Sequence, residues 1–256
     1  MDPAEWRLIV STVTDRMNDH VRAYGTPLVS DDGRIAHQHG SGNYLERDSK
    51  IVLLTCEHVV RGEAVRFRFN GKDAGLEPSS EWVTDPHPVD AAFQIVPAAS
   101  WGNYDNEARA IAPFRIARKH DLHCQEELMF FRGYAGENAR YAFAVHQVNA
   151  SGYCTQEVQE SGDDEVFELF WEPLQTQFTF ETSSTLRSET RYDNAEGFSG
   201  SLVWNTRYLE VTGAGGVWTP EDAVVTGLLR RWDQKTKTLL AWRAEHLQAW
   251  LTSKGV

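Results

Sequence analysis

The chain opens on a helical period and then abandons it. Trp6, Ile9, Val10, Val13, Met17 and Val21 recur at three- and four-residue intervals, so one apolar stripe runs down a helix over residues 3–23. Asp2 supplies an N-cap acceptor, Pro3 suits the first turn and Glu5 completes a capping box. The stripe predicts a helix packed on the outside of a barrel; docking to a partner protein is the other use of such a face. From Ala23 the apolar positions contract into short runs bounded by turn residues: 26–29 before Asp31-Asp32-Gly33, then 34–44, 50–55, 64–69 and 91–96. That spacing predicts an all-β barrel. Near Glu127 a second series begins, with strands expected over 128–133, 140–148, 166–171, 178–180, 202–204, 224–229 and 238–242. Leu247, Trp250 and Leu251 then mark one face of a closing helix over 243–253.

Three positions in this pattern carry chemistry together. In Gly197-Phe198-Ser199-Gly200-Ser201 a serine stands between glycines. Such a turn exposes a nucleophile and leaves its own N–H and that of Gly197 free to face a developing oxyanion. The apolar run 50–55 ends in a polar step before His58, and Asp90 directly precedes the apolar run 91–96 after a turn stiffened by Pro86 and Pro88. A histidine to take the proton of Ser199 and an acid to orient that histidine complete the set needed for nucleophilic acyl transfer.

Gly40-Ser41-Gly42, Leu54-Thr55-x-x-His58-Val59-Val60, Val89-Asp90-Ala91-Ala92 and Gly197-x-Ser199-Gly200-Ser201 together resemble the trypsin-like, chymotrypsin-fold serine peptidases, above all their bacterial branch. The resemblance covers most of the chain and keeps the family's order. It implies two antiparallel six-stranded β-barrels with the site in the cleft between them: an N-terminal helix over 1–24, a first barrel over 25–118 carrying His58 and Asp90, and a second over 119–256 carrying Ser199 and ending in a helix. His58 is then the general base, Asp90 its orienting acid and Ser199 the nucleophile, with the amides of Gly197 and Ser199 as the oxyanion hole. In the trypsin subgroup the residue six before the nucleophile is an acid at the base of the pocket for a basic side chain; counting places Asp193 there. The strand 224–229 leads into the segment beside the substrate backbone, which puts Arg230, Arg231 and Trp232 at the cleft, where two arginines favour acidic residues instead. Both preferences stay open, with a basic residue before the cleaved bond slightly favoured. The secreted digestive branch pairs a freed N-terminus with an acid just before the nucleophile; Phe198 holds that position here, so activation by that ion pair is not expected.

With 25 basic and 37 acidic residues the net charge is −12, which disfavours nucleic acid or an anionic membrane as the main partner. The acidic stretch of Glu157, Glu160, Asp163, Asp164 and Glu165 reads as a solvated loop, a site for basic substrate being its alternative. No run reaches the length of a membrane span and the start has no signal-peptide character. Three scattered cysteines, Cys56, Cys124 and Cys154, suit free thiols in a reducing compartment. Many relatives carry a disulfide beside the catalytic histidine, where this chain has Val59. The expected location is therefore cytoplasmic. No metal or organic cofactor is expected: His37, His39 and His58, and His120, His123 and Cys124, lack a recognised ligand spacing. The reading is a serine endopeptidase acting on protein or peptide substrates. Its alternative is a protease-fold regulatory or binding module, conditionally active or inactive, whose site a regulatory protein partner must complete. An α/β-hydrolase esterase fits poorly, because Ser201 stands where its motif needs glycine.

Overall fold

The computed structural model describes residues 2–31, 36–62, 65–67, 81–102, 107–142, 145–158, 163–173, 176–191 and 193–256. The first half comprises α1 (Pro3–Val21), β1 (Gly25–Asp31), β2 (Ala36–Arg47), β3 (Lys50–Thr55), α2 (Glu57–Val60), β4 (Val83–Asp85), β5 (Ala91–Val96) and α3 (Ala98–Gly102). The second comprises β6 (Met129–Gly133), β7 (Ala139–Ala142), β8 (Val145–Val148), β9 (Ser151–Thr155), β10 (Val166–Phe170), α4 (Ser184–Glu189), β11 (Leu202–Asn205), α5 (Tyr208–Gly213), β12 (Val224–Asp233), β13 (Thr238–Arg243) and α6 (Ala244–Ser253).

Two antiparallel sheets result. One is ordered β1-β2-β3-β5-β4, the other β10-β13-β12-β11-β6-β9, and β7 with β8 forms a separate hairpin. Arg66 and Val29 exchange backbone hydrogen bonds, so a sixth segment lies along the outer edge of β1. The mostly-β, two-barrel expectation therefore holds. Half of the strand expected over 64–69, Asp32 and Gly33 of the first turn, the first two residues of the strand expected over 34–44, the middle of 140–148 and Glu160 lie outside the described residues. Residues 178–180 are not part of a strand; Phe180 is exposed, and its amide donates to Ser11 Oγ of α1 at 2.8 Å. β4 and β9 add strands that the apolar pattern had not marked.

Alternation along the central strands divides the core in two. Met129, Phe131, Val203 and Leu229 point into the second barrel, while Phe130, Leu202 and Leu228 point into a cluster shared with the first barrel and both terminal helices. Both faces of β6, β11 and β12 are thus buried, which is why they read as continuous apolar runs. Asp2 caps α1, its Oδ1 accepting from the Ala4 amide at 3.3 Å, and Val13, Met17 and Val21 bury the stripe. α6 buries Leu247 and Leu251 and spans the two halves: Trp250 Nε1 donates to Asp85 Oδ2 at 2.7 Å, and its ring meets Phe93 edge-on at 5.5 Å.

Phe198 is fully buried in the second core, within 5.3–5.7 Å of the ring centroids of Phe131, Tyr153 and Trp171. Such ring pairs add about 0.5–1.5 kcal/mol each beyond area burial. The residue before Ser199 is therefore an apolar anchor for the turn. Phe198→Ala is expected to lower stability by about 3–5 kcal/mol through the cavity it leaves. Urea unfolding checks this: the midpoint should fall at unchanged slope, whereas an unmoved midpoint would show that the cluster does not anchor the turn.

Candidate functional site

β3 delivers the chain into the single turn α2. Glu57, Val59 and Val60 face inward, which leaves His58 on the open side with its side chain 39% exposed. Asp90 ends the turn before β5, its amide donating to Pro86 O at 3.2 Å, and sits at φ 47°, a left-handed conformation that Asp tolerates. Its carboxylate is nearly buried and grips His58 twice. Nδ1 donates to Oδ1 and Oδ2, each at 2.9 Å, and the His58 backbone N–H donates to Oδ1 at 3.1 Å. This fixes the imidazole plane and leaves Nε2 as the ring's free nitrogen. Burial pushes the Asp90 carboxyl up, but the hydrogen bonds and charge of His58, with Arg230 behind, outweigh it and hold the group below its ordinary value.

Ser199 stands on the turn between β10 and β11. Gly197 and Gly200 have φ of 98° and 89°, and neither position admits a side chain. A Cβ on Gly197 would lie 2.4 Å from Tyr134 O, and one on Gly200 2.0 Å from Ser41 O. The amide of Phe198 donates to Ala195 O, that of Gly200 to Leu229 O and that of Ser201 to Phe198 O. The amides of Gly197 and Ser199 have no acceptor among the described residues. Two unpaired donors bracket the serine, as an anion site requires.

The two halves meet at this turn. Ser41 N donates to Ser199 O at 2.9 Å, Ser41 Oγ to Gly197 O at 2.8 Å and Asn43 Nδ2 to Gly200 O at 2.8 Å. Leu229 O receives both the Gly200 amide, at 2.8 Å, and the Cys56 thiol, at 3.3 Å, so the start of α2 and the serine turn converge on one carbonyl. The structure brings His58 and Asp90 into contact, whereas the Ser199 hydroxyl donates to Arg230 O at 2.8 Å and makes no hydrogen bond to His58.

The expected specificity residues separate. Asp193 is exposed, not enclosed at a pocket base. Glu137 accepts the Asn194 amide at 3.2 Å and tethers this part of the loop, and the like charge of Glu137 favours an outward Asp193 side chain. Burial, then the Asp193 charge, raise the Glu137 carboxyl above its ordinary value despite the amide bonds it accepts. Arg230 is buried: its guanidinium donates to Val89 O and lies 4.4 Å from the Trp242 ring centroid. It therefore braces the turn that carries Asp90 and does not face a substrate. Arg231, next to Arg230 at a register shift in β12, is exposed and lines a cavity of about 350 Å³ with His58, Arg61, His87 and Asp90. Sequence reasoning missed the bracing by Ser41, Asn43 and Arg230; only the small Gly40-Ser41-Gly42 run hinted at the first.

A larger cavity of about 440 Å³ lies at the connection between barrels and includes His120, His123 and Cys124. His120 is committed within it, bonded to Thr226 Oγ1 at 2.7 Å and Glu157 Oε2 at 2.9 Å and stacked on Phe167. His39 is bonded to Ser30 Oγ at 2.6 Å. Among the described residues the one grouping with ligand spacing for a metal is Cys56, His58 and Asp90, whose atoms lie within 4.8 Å of one another. Burial, then the Asp90 charge, push the Cys56 thiol well above its ordinary value, and His58 Nδ1 already serves Asp90. The set fits a hydrogen-bonded dyad better than a metal centre.

No protein-family model and no curated protein sequence matches the chain. Solved structures do. The active form of the Rv3671c protease from M. tuberculosis superposes with a TM-score of 0.57 at 16% identity, covering 100% of this chain and 88% of that one. The inactive form of the Rv3671c protease gives 0.51 at 15%, covering 100% and 97%. Mouse neuropsin, a serine protease expressed in the limbic system of the brain, gives 0.54 at 10%, covering 92% and 95%. This chain therefore adopts the chymotrypsin-like fold, the two-barrel architecture of these serine proteases.

Proposed function

We propose that this protein is a serine endopeptidase that cleaves protein substrates through an acyl-enzyme. The observation that carries the reading is the buried Asp90 carboxylate fixing His58 by both Nδ1 and the backbone amide, beside a serine flanked by two free amides. Ser199 Oγ turns from Arg230 O toward His58 Nε2, gives up its proton there and attacks the peptide carbonyl. The amides of Gly197 and Ser199 hold the oxyanion, and the Asp90 charge stabilises the imidazolium. His58 then protonates the leaving amine, and water, activated by the same imidazole, releases the acyl group.

The hydrogen bond from Ser199 to Arg230 O favours one second reading, a conditionally active module whose serine turns toward His58 only when substrate or a regulatory protein takes up that carbonyl. Asp193, being exposed, lends no support to a basic residue before the cleaved bond. Three free cysteines support a reducing compartment such as the cytoplasm. No helix among the described residues is long and apolar enough to cross a membrane.

Wild type should gain one adduct from a fluorophosphonate probe by intact mass, and Ser199→Ala none. Cleavage of unfolded casein should fall by about 10⁶-fold in Ser199→Ala and about 10⁴-fold in Asp90→Asn; retained cleavage in Ser199→Ala contradicts the assignment. The depressed Asp90 value also has a stability signature. The unfolded chain binds the proton first, so the contribution of Asp90 is complete above about pH 4 and is lost as pH falls through the lower folded value. In urea unfolding the stability gap between wild type and Asp90→Asn should narrow below about pH 4; a gap that widens in acid contradicts the ion-paired dyad.

A further inference from the structure

The protein is acidic overall, yet the cavity next to the dyad is cationic. His58, Arg61, His87, Asp90 and Arg231 line it. Asp90 is spent on His58, and Arg61 is paired with Glu57, Nε donating to Oε1 at 2.9 Å. Arg231 is different. Its guanidinium meets His87 Nδ1 in a long 3.4 Å contact and has no carboxylate partner among the described residues. An exposed guanidinium without an acid, on a chain of net charge −12, is a directed anion receptor and not part of a general positive surface.

The strand that carries Arg231 also has an open backbone edge. β12 pairs with β11 only as far as Leu228, whereas its pairing with β13 continues to Asp233. From Arg230 onward its other edge has no strand partner among the described residues, and the Arg230 carbonyl at the start of that edge holds the Ser199 hydroxyl. An extended peptide adding to this edge would run past Ser199 with alternate side chains on opposite faces. One of them would enter the space between Arg231 and His87.

We propose that the preferred substrate carries an acidic side chain within three residues of the cleaved bond, seated between Arg231 and His87, and that Arg231 is the residue that selects it. The carboxylate would receive a charge-assisted, two-pronged pair from the guanidinium, which Lys or a neutral amide in the substrate cannot match. This rests on the peptidase reading, so the test separates the two. A proteome digested into peptides and amidated at its C-termini is incubated with wild type, Arg231→Gln and Arg231→Glu, and new cleavage sites are read by mass spectrometry. Each variant is scored by its own ratio of kcat/KM for matched Asp- and Asn-containing peptides. The expected wild-type ratio is about tenfold or more in favour of Asp at one position; it should collapse toward one in Arg231→Gln and invert toward Lys in Arg231→Glu. Amidation removes terminal carboxylates, so capture of a chain end would appear as lost cleavage without side-chain preference and would overturn the proposal. So would fluorophosphonate labelling of wild type with no acidic enrichment at its sites, with enrichment unchanged in Arg231→Gln, or with no cleavage at all. Absence of both label and cleavage would instead overturn the peptidase reading beneath it.

Discussion

One buried hydroxyl holds the site together. Ser41 Oγ donates to Gly197 O and accepts from the Tyr134 amide at 3.0 Å, while the Ser41 amide holds Ser199 O and its carbonyl accepts from Thr55 Oγ1 at 2.8 Å. Four hydrogen bonds from three groups of one residue thus tie the serine turn, the end of β6 and the end of β3 to β2. Because the residue is buried, each lost partner would leave an unsatisfied group costing about 1–3 kcal/mol. The seam accordingly has little freedom. The same close approach forbids a side chain at Gly200 and at Gly40, where a Cβ would lie 2.7 Å from Val59.

What the seam fixes is backbone, and the two unpaired amides beside it, of Gly197 and Ser199, are backbone groups. The Gly197 carbonyl is committed to Ser41, which orients the peptide plane next to the free Gly197 amide. Phe198 holds the other side by aromatic packing. An apolar anchor needs no released terminus and forms with the core itself. The side chains are less constrained: His58 is held by Asp90 and Asp90 is backed by Arg230, but the Ser199 hydroxyl rests on a carbonyl that an incoming peptide would also claim. On the proposed peptidase reading, substrate binding along β12 would thus be linked to release of the Ser199 hydroxyl.

Much of this was legible in the sequence, for identifiable reasons. The runs 50–55 and 91–96 match β3 and β5 residue for residue, because both are largely buried and meet polar steps abruptly, the first ending before the one that carries His58 and the second starting directly after Asp90. The stripe Val13, Met17 and Val21 marked α1 correctly. Elements defined by a partner's shape were hidden. β9 contains Gly152, whose position leaves only 2.8 Å from a Cβ to Phe130 Cζ, so it has no apolar signature. Phe178 and Phe180 mimicked a strand by their alternation, yet the segment is not part of a strand and Phe180 is exposed. Asp193 was placed by counting back from Ser199, and a count along a loop does not fix where the side chain points; here it is exposed. Arg230 looked like a cleft cation, since a chain pattern cannot tell which of two adjacent arginines points inward.

The central claim is that Ser199, His58 and the two free amides act on one carbonyl. A crystal structure of the protein after reaction with a small organophosphorus fluoridate tests it most directly. The account predicts phosphorus on Ser199 Oγ, with a phosphoryl oxygen about 2.7–3.1 Å from the amides of both Gly197 and Ser199 and His58 Nε2 turned toward the adduct. A Ser199 that stays unmodified and bonded to Arg230 O at saturating reagent, or an adduct whose oxygen meets neither amide, would contradict it.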